Sequence, residues 1–189
     1  MGSTFRKRGA LRSAAILMVL ACPVATSRGA GAGDDAPEAR PFRVRVPHNE
    51  AAQALERALL GADQRLADPA CRQVLSDFSE ASGRTLKEVL DGSGVSAQTY
   101  LRWIFFFDGR DPDACKSRDT IAATERGSRV VFICPFAFVE IERGDPEYAE
   151  ATLIHEMLHS LGLGENPPRS REITQRVLSR CASPRSRVR

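Results

Sequence analysis

His155-Glu156-Met157-Leu158-His159-Ser160-Leu161-Gly162-Leu163-Gly164-Glu165 is the stretch on which the reading of this chain turns. It holds two of the three histidines in the sequence, four positions apart in an otherwise apolar run. On a helix, residues four apart lie one above the other on a single face, so the imidazoles of His155 and His159 converge on one point. Two nitrogen ligands of a tetrahedral cation need that arrangement. Glu156 is displaced by about 100° around the same helix, outside the ligand pair but within reach of a water on the cation. Three polar side chains buried in an apolar helix without partners would cost several kcal/mol, roughly, and a metal ion is a partner that removes the cost.

A catalytic metal of this kind keeps three protein ligands and leaves one position open. Glu165 follows His159 by six positions, with Gly162 between them. Glycine enters the left-handed conformation that ends a helix and reverses the chain, so the turn swings Glu165 back toward the histidines. Asn166-Pro167-Pro168 then stiffens the loop, because proline fixes φ and removes donors. Glu172 is the alternative third ligand. It has a structural reason of its own, near the start of a helix expected to be capped by Ser170, where the dipole favours a carboxylate by about 0.3–1 kcal/mol. Thr152, one turn before His155 on the same face, is the expected hydrogen-bond partner of the site.

Through His155-Glu156-x-x-His159 the chain resembles the zincin metallopeptidases. The extension through Gly162 to Glu165 is similar to the metzincin branch, whose third ligand at that position is usually His and sometimes Asp. The methionine turn of that branch has no counterpart, since Met1, Met18 and Met157 are the only methionines. A looser likeness, to the aspzincin (deuterolysin-like) arrangement, rests on Val130-Val131-Phe132-Ile133-Cys134-Pro135-Phe136 followed by Thr152-Leu153-Ile154-His155-Glu156. There the third ligand is an acid further downstream, Glu172 in this chain.

The resemblance implies a Zn2+ cofactor held by His155, His159 and Glu165, with Glu156 as the general base and a peptide or protein as substrate. It also implies strands beside the motif helix, the edge one able to pair with an extended peptide. Transition-state stabilisation needs a further donor; Tyr148, Tyr100 and His48 are candidates, and spacing favours none. Two other readings use the same ligands: a secreted zinc-binding structural or interaction domain without turnover, and a zinc hydrolase of a non-peptide amide.

Arg6, Lys7, Arg8 and Arg12 precede the apolar run Ala14 to Ala21, and small residues follow around Gly29 to Gly33. This is the layout of a secretory signal peptide over residues 1–32, with cleavage after Ala32. The run is too short to span about 30 Å of hydrocarbon, so no stable membrane insertion is expected after cleavage. Lipid attachment at Cys22 is the alternative, although Leu20 and Pro23 fit that motif poorly. Removing residues 1–32 takes away five basic residues and no acid, which turns a formal charge of +3 into −2. No concentrated basic surface remains, and nucleic acid is not an expected partner.

The expected location is therefore secreted or periplasmic, an oxidising compartment. Cys71, Cys115, Cys134 and Cys181 suggest two disulfides among three pairings. Cys115–Cys134, bracketing a hairpin, with Cys71–Cys181, tying two helices, is the favoured one.

Residues 33–41 read as a flexible lead-in, 42–182 as a single zincin-like domain, and 183–189 as a basic tail. The fold class is α+β: mostly helical, with a short antiparallel sheet beside the motif helix. A strand is expected over 42–46 and a helix from Asn49 to about Leu60, ended by Gly61. A second helix starts at Asp68-Pro69 and carries Cys71, Val74, Leu75 and Phe78 on one face. Thr85-Leu86-Lys87-Glu88 reads as a capping box. Tyr100 to Phe107 reads as a buried strand, with a helix as the alternative. Thr120–Thr124 and Arg129–Cys134 form a hairpin around Glu125-Arg126-Gly127-Ser128. Asp145-Pro146-Glu147 launches the motif helix, and a last helix places Ile173, Val177, Leu178 and Cys181 on one face.

Overall fold

The computed structural model describes residues 41–110, 115–117 and 120–182. The expected signal peptide over 1–32, Cys22, the expected lead-in through residue 40 and the expected tail over 183–189 lie outside the described residues. The fold is α+β, rich in helix around a small four-stranded mixed sheet. In chain order the elements are β1 (Arg43–Arg45), α1 (Asn49–Ala67), α2 (Pro69–Arg72), α3 (Val74–Asp77), α4 (Leu86–Gly92), α5 (Ala97–Trp103) and β2 (Phe105–Asp108). There follow β3 (Ala122–Thr124), β4 (Val130–Ile133), α6 (Pro135–Gly144), α7 (Pro146–Ser160) and α8 (Ser170–Cys181).

Several starts follow from local chemistry alone. The Asp68 carboxylate accepts from Ala70 N at 2.8 Å with Pro69 at the first helical position. Thr85 and Glu88 cap each other reciprocally, Thr85 N to Glu88 Oε2 at 2.7 Å and Glu88 N to Thr85 Oγ1 at 3.2 Å. Asp145 accepts from Tyr148 N at 3.0 Å, and Pro146 opens α7.

Other expectations are corrected. α1 does not stop at Gly61 but runs on to Ala67, with Ala62 and Leu66 fully buried. A Cβ at position 61 would overlap the carboxylate of Glu150 on α7, so the glycine marks a close approach of two helices. Burial beyond it outweighs the roughly 1 kcal/mol that glycine costs a helix interior. Tyr100 to Phe107 divides at Ile104, whose ψ of 139° ends α5 and begins the turn into β2. α6, absent from the sequence reading, starts at Pro135 and buries Phe138 and Val139.

The sheet order is β1-β2-β4-β3. The expected hairpin is present, β3 antiparallel to β4 with Ala122 opposite Ile133. β1 and β2 join the other edge of β4 in parallel, in the registers Arg43 to Phe105 and Phe105 to Val130, so the sheet is mixed. Parallel neighbours need long crossovers, and α1 to α5 supply the one between β1 and β2. β3 is left as an edge strand packed against α7.

α7 packs against α1, α6 and α8 as well. Every residue from Ala151 to Ser160 is buried, as expected of a helix that is apolar nearly all round. Disulfides join Cys71 to Cys181 and Cys115 to Cys134, the favoured pairing. The first ties α2 to α8; the second anchors residue 115 at the end of β4.

Candidate metal centre

His155 and His159 project from consecutive turns of α7, and their Nε2 atoms are 2.8 Å apart. Glu165 Oε1 lies 3.3 Å from His159 Nε2 and 3.7 Å from His155 Nε2. A triangle with sides of 2.8, 3.3 and 3.7 Å has a circumradius of about 1.9 Å, so the three atoms could all lie within about 2.0–2.2 Å of one cation. The three residues therefore form a group that could hold a metal ion.

The outer nitrogens determine which atoms face that point. His159 Nδ1 lies 2.8 Å from the carbonyl of Leu163. A carbonyl only accepts, so Nδ1 carries the proton and Nε2 presents a lone pair. His155 Nδ1 lies 2.8 Å from Thr174 Oγ1. That hydroxyl donates to Ser170 O at 3.2 Å and so accepts from the imidazole. In these tautomers both Nε2 lone pairs point at one place, where a cation would accept both. Protonation is an inadequate substitute: burial, with His159 adding to it, pushes the His155 imidazole down to about 3. A neutral imidazole whose other nitrogen is hydrogen-bonded is the form in which histidine ligates metals.

The turn after α7 builds the rest of the centre. Gly162 has φ +110, Gly162 N donates to His159 O at 2.9 Å, and Leu163 N donates to Leu158 O at 3.1 Å. These are the two bonds of a Schellman cap. The cap aims the Leu163 carbonyl at His159 Nδ1 and returns the chain so that Glu165 reaches the histidines. Asn166, at φ 62, donates its N–H to Pro168 O at 2.8 Å and closes the loop.

The centre lies at the bottom of a cleft of about 700 Å³, walled by Thr120 to Thr124 on one side and by Tyr148, Thr152 and the start of α8 on the other. The histidines are buried, whereas the Glu165 side chain is 40% exposed, so the centre opens toward the cleft. Glu156 also lines it, 5% exposed, with Oε2 lacking any hydrogen-bond partner among the described residues. Burial pushes the Glu156 carboxyl up to about 7, against the opposing pull of the Thr124 hydroxyl and His159 and with a push from Glu165. Thr124 Oγ1 approaches this carboxylate without an aligned hydrogen bond.

The remaining sequence candidates separate cleanly. Glu172 is on the first turn of α8, exposed, and accepts from Arg169 N at 3.0 Å, so it stabilises the helix start rather than joining the group of His155, His159 and Glu165. Arg169, not Ser170, is the residue before that helix. Thr152 lines the cleft but donates to Tyr148 O at 2.9 Å rather than bonding a histidine. Its expected role falls to Thr174, nineteen positions from His155, for which no local pattern exists. Tyr100 is committed to Ser160 O at 3.1 Å on the buried side of α7. His48 accepts from Ala51 N at 3.3 Å as the cap of α1 and packs on Phe136. Of the three donor candidates, only Tyr148 lines the cleft.

Comparison with protein-family models, with curated proteins and with solved structures finds no match for this chain.

Proposed function

We propose that the protein is a secreted or periplasmic zinc-dependent metallopeptidase. The observation that carries this reading is the convergence of His155 Nε2, His159 Nε2 and Glu165 Oε1, both imidazoles held in their ligating tautomer, beside a buried carboxylate with a free oxygen. Zinc suits two imidazoles and a carboxylate, and when bound it lowers the pKa of a water to about 7 and polarises a carbonyl. Glu156 takes the proton of the attacking water and delivers it to the leaving amine. Its apolar setting on α7 keeps competing donors away from the free oxygen. Tyr148, at the rim of the cleft, is the donor available to the developing oxyanion. The unpaired edge of β3 offers main-chain hydrogen bonds to an extended peptide lying across the cleft. The two disulfides are compatible with an oxidising extracellular compartment. No helix among the described residues is long and apolar enough to cross a membrane.

The test combines metal analysis with turnover of an unfolded protein substrate. The wild type is expected to carry about one zinc per chain and to cleave, Glu156→Ala to keep the zinc and lose cleavage, and Glu165→Ala to lose zinc while Glu172→Ala retains it. Cleavage by Glu156→Ala would refute the mechanism. Zinc without cleavage of any peptide or protein would favour the binding domain over the enzyme.

A further inference from the structure

We propose that Arg126 forms an anion subsite in this cleft and receives a carboxylate of the bound peptide, either its terminal carboxylate or an acidic side chain. The inference deepens the metallopeptidase reading and rests on it for the identity of the ligand as a peptide. Arg126 stands in the turn between β3 and β4 and lines the cleft with the metal-binding group. The turn is held firmly: Ser128 N donates to Glu125 O at 2.9 Å, and Gly127 N, at φ +79, donates to the carbonyl of His159 at 2.9 Å. One backbone hydrogen bond thus couples the position of Arg126 to a ligand-bearing residue.

The guanidinium lies over Gly164, where a Cβ would come within 3.1 Å of Nη1. The missing side chain at 164 is what gives it a seat beside Glu165. It nevertheless forms no ion pair with Glu165, whose Oε1 is turned toward the histidines. Among the described residues it has neither hydrogen bond nor salt bridge, whereas Arg57, Arg65, Arg143 and Arg180 are each engaged by a carboxylate. The other charged groups lining the cleft are Glu156 and Glu165. With a divalent cation in place these two carboxylates at most neutralise it, and Arg126 is left without a compensating acid among the described residues.

Position along β3 says which part of a peptide would meet it. Thr124, the last residue of β3, is beside Glu156, and Arg126 follows two positions later. Two extended residues span on the order of 7 Å, so a peptide paired to β3 with its scissile bond near Glu156 brings its next one or two residues to the guanidinium. A planar guanidinium with free donors matches a carboxylate in bidentate fashion.

The experiment uses the full chain with zinc loaded and Glu156→Gln to prevent consumption of the ligand. Acetylated hexa-alanine is titrated calorimetrically as its amide, as its free acid, and as an amide carrying one glutamate at each position in turn. Binding of a carboxylate-bearing peptide about tenfold tighter than the neutral amide is expected. Arg126→Gln should erase that difference, leaving zinc content and affinity for the neutral amide unchanged, while Arg126→Lys should keep part of it. Preference for the free acid assigns the subsite to a chain terminus, and preference for a glutamate peptide assigns it to a side chain. The proposal is overturned if the Arg126-containing protein binds all peptides equally or none, or if the preference survives Arg126→Gln. Because binding is read without turnover, a lack of hydrolysis would sink the enzyme reading and leave this result standing.

Discussion

Thr174→Val removes one hydroxyl from the centre and keeps the shape of the side chain. In the parent structure that hydroxyl accepts from His155 Nδ1 at 2.8 Å in a buried setting. Valine leaves the Nδ1–H without a partner, a loss of about 1–3 kcal/mol, or about fivefold to 150-fold in a dissociation constant. Losses of about 10–100-fold in metal affinity are typical when the outer partner of a ligating histidine is removed. The two figures overlap, and the structure says why the loss should appear as affinity rather than as fold stability. In the metal-free protein the imidazole can move its proton to Nε2 and donate to His159 Nε2, 2.8 Å away. Metal binding forbids that escape, because Nε2 must then offer its lone pair.

Zinc affinity, measured by competition with a chromophoric chelator, should therefore fall by one to two orders of magnitude, roughly. The Tm of the metal-free protein should change little, and Thr174→Ser should restore most of the affinity. A zinc Kd within about threefold of the parent, or a metal-free Tm that falls as far as the loaded one, would refute the reasoning.

Gly162→Ala places a Cβ at φ +110 and 3.1 Å from Glu80 Cβ, so it should cost about 1–3 kcal/mol in denaturant unfolding and displace Glu165 enough to reduce bound zinc. Opening Cys71–Cys181, which spans 110 positions, should lower stability by about 5 kcal/mol, against about 3 kcal/mol for the 19 positions of Cys115–Cys134. Paired serine variants compared by denaturant melts would show the reverse order if chain entropy were not the controlling quantity. The Arg57 guanidinium, 2.6 Å away, holds the Glu142 carboxyl below its ordinary value. A depressed carboxylate contributes stability above its unfolded pKa and loses it as pH falls through the folded one. The Tm gap between the parent and Glu142→Gln should accordingly be full at neutral pH and close as pH falls below the ordinary glutamate value of 4.5. A gap independent of pH would count against the pair.

Elements whose causes lie within a few residues were legible in the chain. Asp68-Pro69, the Thr85–Glu88 box and Asp145-Pro146 each satisfy orphan helix donors with a neighbouring side chain, and each begins the helix expected of it. The hairpin around Gly127 and the reversal at Gly162 follow from backbone conformations that glycine adopts freely. Failures came where a distant segment decides the outcome. Gly61 reads locally as a terminator, yet Glu150 on α7 needs the space it leaves. Phe105 to Asp108 shows strand propensity but not direction, because its partners lie at β1 and β4. α6 has an amphipathic face that matters only once Phe138 meets the core.

The same division runs through the candidate site. The spacing of His155, Glu156 and His159 and the glycine at 162 are enough to place two imidazoles on one helix face, a carboxylate beside them and a turn after them, because helix geometry and φ preferences act within one or two turns. Only the tertiary structure brings Glu165 rather than Glu172 beside the two histidines, since that depends on where the reversed chain arrives and on Glu172 being held by Arg169 N. Thr174 enters through the packing of α8 on α7, and Arg126 through a turn hydrogen-bonded to His159. Local sequence sets the chemistry of each side chain; which of them meet is a matter of long-range packing, and no periodicity in the chain encodes it.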